Sequence, residues 1–317
     1  MKIEIKNKGL LSLVVDGGRQ GRQREGFCQS GPMDTEAYSW ANFLAFNFDN
    51  TPCIEAIGEV TLDVDSPCVI AVTGRNVTLT VNGIEQPTYA SVRVNACDEI
   101  KFGSQTLGSK SYLAIGGGWN VPLVAGSACT VMREKLGGLT NDGSPLTVGD
   151  HIEISANNVV NVKGWGGDRV LPKAFQPDYQ RDKPISVIPG YQFEAFSRAA
   201  QQLFVSSRYT VSSSIDRMGY RLEGPDVSST ISAMRSEAIH TGAIQIPPDG
   251  QPIVMMRDRQ TLGGYPKLGC VSPVDLNRLA QAVPGEHIHF TFQDHEAARA
   301  DMLLSNNRLR TLQGKLL

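Results

Sequence analysis

The sequence contains no apolar run long enough to cross a bilayer as a helix, which excludes an integral helical membrane protein. No secretory leader is expected either. The apolar stretch at residues 9–15 is too short and too late for one, and no small-residue cleavage site follows, so a cytoplasmic location is expected. Charge of one sign is scarce. Lys and Arg number 30 against 32 Asp and Glu, a formal net charge of −2, so no positive field is available to hold nucleic acid or an anionic membrane. The six cysteines (Cys28, Cys53, Cys68, Cys97, Cys129 and Cys270) are scattered and never form C-x-x-C. Without an export signal they read as small buried hydrophobes rather than disulfides or a zinc site. No G-x-S-x-G elbow and no H-E-x-x-H helix occurs. Residues 103–111, "GSQTLGSKS", approach a phosphate loop. They carry one residue too many before the Lys and run into a strand pattern instead of a helix.

What is present is mostly strand. "KIEI", "LSLVV", "VTLDV", "CVIAVTG" and "VTLTVNGIE" are short Val-, Ile-, Leu- and Thr-rich runs at intervals of about ten residues, the rhythm of a barrel or sandwich. Asn82-Gly83 predicts a tight hairpin, because a type I′ turn needs positive φ at both central residues. Helix signals are few. Asp34 caps a stretch in which Ala37, Trp40, Ala41 and Leu44 share a face. Residues 190–204 give a second helix. Ser272-Pro273 opens a third with Asp275 at N3, and Asp294 caps the last. Residues 164–184 are polar and rich in Gly and Pro, and read as an interdomain connection. The expectation is mainly β, with two domains at 1–175 and 176–317.

Chemistry concentrates in three clusters. Residues 16–34, "DGGRQGRQREGFCQSGPMD", combine five glycines with Arg19, Arg22 and Arg24. Residues 212–225 carry Arg217, Tyr220 and Arg221. Residues 257–269, "RDRQTLGGYPKLG", follow an apolar strand with a crowd of polar side chains around Gly263-Gly264. A plain turn needs no such crowd. Glycines here would let a ligand pass close to main-chain amides. His287 and His289 share a strand face with His295 nearby. No carboxylate at ligand spacing completes a metal site, and a solvated face is expected. His151 and His240 stand alone.

These pieces together resemble the allophanate hydrolase subunit 2 family, also called the biotin-dependent carboxyltransferase family, and most strongly its branch of 5-oxoprolinase C-type subunits. The matching motifs are "DGGRQG…SGPMD", "YLAIGGGWNVPLVAGS", "LGGL", "RMGYRLEGP", "GAIQIPPDGQPIVMM" and "TLGGYPKLG". The resemblance implies two cyclophilin-like β-barrel domains. It implies partners: a B-type subunit of the allophanate hydrolase subunit 1 kind and an A-type subunit of the LamB/YcsF kind. It also implies one of three roles. The first is ATP-dependent opening of 5-oxo-L-proline to L-glutamate, an amide (lactam) hydrolase activity shown only with partner subunits, with ATP bound at or shared with a partner. The second is carboxyl transfer from carboxybiotin to urea, with biotin arriving on another chain. The third is non-catalytic antagonism of a histidine-kinase inhibitor. The sequence departs from the family pattern at "GGWNVP", "SEAIHTG" and "TLGG", which leaves the substrate open.

Within the matching motifs, residue chemistry nominates Arg217, Asp258 and Tyr265 for the catalytic step. Arg221, Gln245, Gln251, Arg257, Gln260, Gly263 and Gly264 are nominated for binding. Arg217 and Arg257 would anchor a carboxylate or phosphate through paired hydrogen bonds. Asp258 would orient an amide N–H or act as a base. Gln245, Gln251, Gln260 and Tyr265 would supply neutral hydrogen bonds.

Overall fold

The structure is a computed structural model that describes residues 1–154, 168–231 and 234–316. Residues 164–167 of the expected connection lie outside the described residues. The fold is mainly β, and the chain forms two compact units. The first comprises Met1–Gln20, Ser30–Asp178 and Gln313–Leu317, and the second Gly21–Gln29 and Tyr179–Leu312.

Two sheets build the first unit. One has seven strands, in the order Trp119–Asn120, His151–Ile154, Lys2–Lys8, Val60–Val64, Glu99–Ser104, Val77–Val81 and Ile84–Glu85. The other has five: Leu11–Val15, Cys53–Ile57, Lys110–Ile115, Cys68–Gly74 and Val92–Val94. Ile3, Ile5, Leu62 and Phe102 from the first sheet meet Val14, Ile54, Val72 and Leu113 from the second in one apolar core. Helix α1 (Thr35–Leu44) covers the outer face of the five-stranded sheet, where Thr73 donates its hydroxyl to the Ala37 carbonyl at 2.7 Å. The strand Cys68–Gly74 is therefore buried on both faces. This is why it reads as a continuous apolar run rather than an alternation. Asp34 accepts the Ala37 amide at 3.0 Å, and Ala37, Trp40, Ala41 and Leu44 all point inward, as their spacing predicts. Asn82 (φ 50°) and Gly83 (φ 75°) form the predicted left-handed turn between Val77–Val81 and Ile84–Glu85.

The second unit is a closed barrel of seven strands: Ile185–Pro189, Lys267–Val271, Ala243–Gln245, Ile253–Met255, Gly219–Glu223, Arg208–Ile215 and His287–Phe292. Every neighbouring pair is antiparallel except the one that closes the ring, Ile185–Pro189 with His287–Phe292. Helix α2 (Arg198–Ser206) starts later than expected. A short 3-10 turn occupies Phe193–Ala195, and Ser197 then caps α2 by accepting the Ala200 amide. Helix α3 (Pro273–Ala280) begins at Ser272-Pro273 as predicted. Helix α4 (His295–Lys315) follows Asp294, which accepts the Ala297 amide. No described helix is long and apolar enough to cross a membrane.

Candidate functional site

The polar clusters at residues 212–225 and 257–269 meet at one end of the barrel. After Arg208–Ile215 the chain turns tightly, with Asp216 accepting the amides of Met218 and Gly219. Two backbone bonds, Met256 N–H to the Met218 carbonyl and Asp258 N–H to the Arg217 carbonyl, fasten this turn to the segment leaving Ile253–Met255. The side chains repeat the link. Arg217 donates Nε to Asp258 Oδ2 at 2.8 Å and Nη2 to Oδ1 at 3.0 Å, a two-pronged pair whose partners are each 7 % exposed. The nominated anchor and the nominated base are thus each other's counter-charge.

The next cationic residue stands differently. Arg259 is 2 % exposed and donates Nε to the Ile239 carbonyl at 3.1 Å. Its Nη1 is buried with no hydrogen-bond partner among the described residues. Burial, and then the charge of Arg257, push this guanidinium down to about 10. Ile239 follows a short strand, Glu237–Ala238, paired with Leu262–Gly263 as a two-stranded ribbon. Gln245 ends a barrel strand opposite Lys267, and its Nε2 is a second buried donor without a partner among the described residues. Lys267 is buried and donates Nζ to Glu237 at 2.9 Å, while Gln192 accepts its amide. His240 lies exposed beside these cations. Desolvation first, then Arg259 and Lys267, hold its imidazole below the usual range. Burial pushes the Cys270 thiol up to about 12, which keeps it in the thiol form.

A cleft of about 660 Å³ opens alongside. Gly264 and the half-exposed Tyr265 line it, facing Asp226, Asp249 and the Pro247-Pro248 corner. Two nominated residues brace its wall. Arg221 pairs with Asp249, and Gln251 clasps both backbone groups of Gly224 and the Asp226 carboxylate. The ten nominated residues therefore divide. Gly264 and Tyr265 face the cleft, and Arg221 and Gln251 hold its wall. Arg217 and Asp258 form the buried pair. Gln245 and Gly263 belong to the donor cluster, and Arg257 and Gln260 sit half-buried between. Gly263 does not have positive φ. A Cβ there would lie 2.3 Å from Ile239 Cδ1 and 2.7 Å from Gln245 Nε2, so the ends of both side chains would have to shift for any larger residue.

Sequence reasoning left Arg259 out of the site, and it did not nominate a second buried arginine, Arg19, which is separate from that site. Arg19 belongs to the first unit and is fully buried. Its Nη2 donates to the Cys129 carbonyl at 2.8 Å, while Nε and Nη1 lack partners among the described residues. Asp16, three residues earlier, accepts from Ser127, Ala128, Gly18 and the Cys129 thiol. Gly137 (φ 64°) lets the Cys129 carbonyl come close, which accounts for the "LGGL" motif. Both arginines lie in motifs that the sequence flagged, but burial cannot be read from a motif.

Cofactor geometry is limited. Among the described residues no three His, Cys, Asp or Glu side chains gather as a metal would require. Residues 103–111 connect Glu99–Ser104 to Lys110–Ile115, strand to strand, so their amides do not cap a helix and do not fit a nucleotide phosphate chain.

Residues 25–292 match the family described as carboxyltransferase domain, subdomain A and B. The chain belongs to this family. Across 91 % of its length it is 32 % identical to the C-type subunit of 5-oxoprolinase from Escherichia coli (strain K12), covering 90 % of that protein. It is 28 % identical to urea amidolyase of Saccharomyces cerevisiae over 98 % of its length, but spans only 18 % of that larger protein. The crystal structure of the Kluyveromyces lactis urea carboxylase superposes with a TM-score of 0.89 at 26 % identity. The match covers this whole carboxyltransferase-family chain and 30 % of the urea carboxylase chain. The carboxyltransferase fold thus occurs both as a free-standing chain and as one part of a long polypeptide.

Proposed function

We propose that this chain is the C-type subunit of an ATP-dependent 5-oxoprolinase complex that opens 5-oxo-L-proline to L-glutamate. The observation that carries this reading is two-way coverage. The chain and its E. coli relative match over about nine-tenths of both lengths, whereas it corresponds to a small fraction of the urea enzyme. The buried donors agree with it, because the substrate is an anion that also presents an amide oxygen.

In the overall reaction one water adds across the lactam C–N bond. The carbonyl carbon gains the hydroxyl, and the nitrogen gains a proton and leaves as the amine. ATP hydrolysis consumes a second water and supplies the driving force, since amide resonance otherwise resists attack. This chain's part is to bind and orient the lactam and to exclude bulk water. Tyr265 and Gly264 at the cleft, and Gln245 beside Gly263, are the groups assigned to it. The nucleotide is assigned to a B-type partner of the allophanate hydrolase subunit 1 kind or to the surface shared with it. An A-type partner of the LamB/YcsF kind completes the complex in the cytoplasm.

Carboxyl transfer from carboxybiotin to urea is the second reading, favoured by the close superposition on urea carboxylase. One experiment separates the two. The chain is reconstituted with the A-type and B-type partners from its own genome, and glutamate is measured with 5-oxo-L-proline and ATP. The parallel assay supplies a carboxybiotin-bearing partner and urea. Glutamate formation that needs all three chains is the expected result. Urea-dependent loss of carboxybiotin without glutamate would replace this reading with the second.

A further inference from the structure

Arg259 is a buried cation to which no acidic side chain among the described residues is paired. The carboxylate next to it in sequence, Asp258, is held by Arg217 through two hydrogen bonds. Arg257 repels the guanidinium, and the nearby Asp258 charge offsets that only in part. A buried charge without a counter-ion is costly, and a fold keeps one where something else supplies the negative charge.

Two further donors point the same way. Gln245 Nε2 and Thr241 Oγ1 are also buried without partners among the described residues. Arg259 and Gln245 flank one residue, Ile239. The guanidinium binds its carbonyl, and its Cδ1 and the Gln245 amide both press on Gly263. A flat guanidinium pairs best with a planar oxyanion, and a carboxamide N–H with a carbonyl oxygen.

We propose that Arg259 anchors the oxyanion of a small ligand whose carbonyl oxygen is met by the Gln245 amide, across Ile239 and Gly263. Resting on the function proposed above, the ligand is the lactam substrate, with its carboxylate on Arg259 and its ring carbonyl at Gln245. The other source of such an oxyanion is a phosphoryl group.

The test uses the full chain, alone and in the reconstituted complex, with three probes: 5-oxo-L-proline, 2-pyrrolidinone (the same ring without the carboxylate) and inorganic phosphate. Calorimetric titration and thermal melts are recorded for the wild type, Arg259→Met and Gln245→Leu. 5-Oxo-L-proline is expected to bind and 2-pyrrolidinone not to. Arg259→Met is expected to weaken binding about 10- to 100-fold, and Gln245→Leu about 2- to 10-fold. Without ligand, Arg259→Met is expected to melt at or above the wild-type temperature, because an uncompensated buried charge has gone. Phosphate binding through Arg259 in place of 5-oxo-L-proline would overturn the carboxylate assignment and keep the anchor. Equal binding by Arg259→Met and wild type, or an Arg259→Met protein that melts well below it, would overturn the anchor and leave Arg259 as a structural strut. Arg259-dependent anion binding by a complex that makes no glutamate would support the anchor and remove only the function on which the ligand's identity rests.

Discussion

Arg217 reads in the sequence as an exposed anchor, and in the structure it is one half of a buried ion pair. That changes what its removal should do. Arg217→Ala leaves the Asp258 carboxylate buried and uncompensated, which typically costs about 3–5 kcal/mol. Asp258→Ala should cost a similar amount, and the double variant much less than the sum of the two. A double-mutant cycle by urea denaturation checks this, and additive losses would refute the coupling. His240 sets a pH dependence. Its folded pKa lies below its unfolded value, so the unfolded chain takes up a proton first as pH falls. Stability from this site is therefore complete above about pH 6.5 and declines as pH drops toward the folded value. Replacing His240 by Gln should flatten the melting temperature between pH 7 and pH 5; an unchanged slope would assign the dependence elsewhere. At this scale the sequence showed which residue types crowd together but not how they pair. "RDRQ" offers two arginines around one aspartate, and only the fold reveals that Asp258 turns to Arg217, more than forty positions away, leaving Arg259 unmatched.

The ribbon of Glu237–Ala238 with Leu262–Gly263 sets a glycine against the ends of two side chains. Gly263→Val would drive a branched side chain into Ile239 and Gln245, whose nearest atoms lie inside contact distance of even a Cβ. The barrel strands need no change, so far-ultraviolet circular dichroism should stay as in the wild type while ligand binding falls at least tenfold. Gly263→Ala should fall between the two, since the ends of flexible side chains can yield a little. Retained binding in Gly263→Val would show that the displaced amide is not needed. Elements were the most legible level. The Asn82-Gly83 turn, the Asp34 cap and the Ser272-Pro273 start rest on local chemistry and appear where that chemistry puts them. Helix α2 was misjudged because Phe193, Phe196, Ala200 and Phe204 keep helical spacing. The backbone breaks at Ser197, which turns its hydroxyl to a cap, and spacing of apolar residues carries no record of that.

For the molecule as a whole, the sequence announced a β-rich protein in two parts. The resemblance implied barrel domains, but not that the second unit closes a ring of seven strands while the first stacks two sheets, because closure depends on which strands meet as edges. The chain is expected to be inactive by itself and to co-purify with a homologue of the B-type partner when the two are co-expressed. Size-exclusion chromatography at micromolar concentration should give one peak containing both, and two separate peaks would count against the complex. The barrel's single parallel seam has a further consequence, one that concerns the growing chain. Ile185–Pro189 finds its second neighbour only when His287–Phe292 has been made, about a hundred residues later. Until then the nascent unit carries two unpaired edges, on Ile185–Pro189 and Arg208–Ile215. Such edges invite pairing with other chains. A chain truncated before the last barrel strand would thus keep both edges open to pairing with other chains.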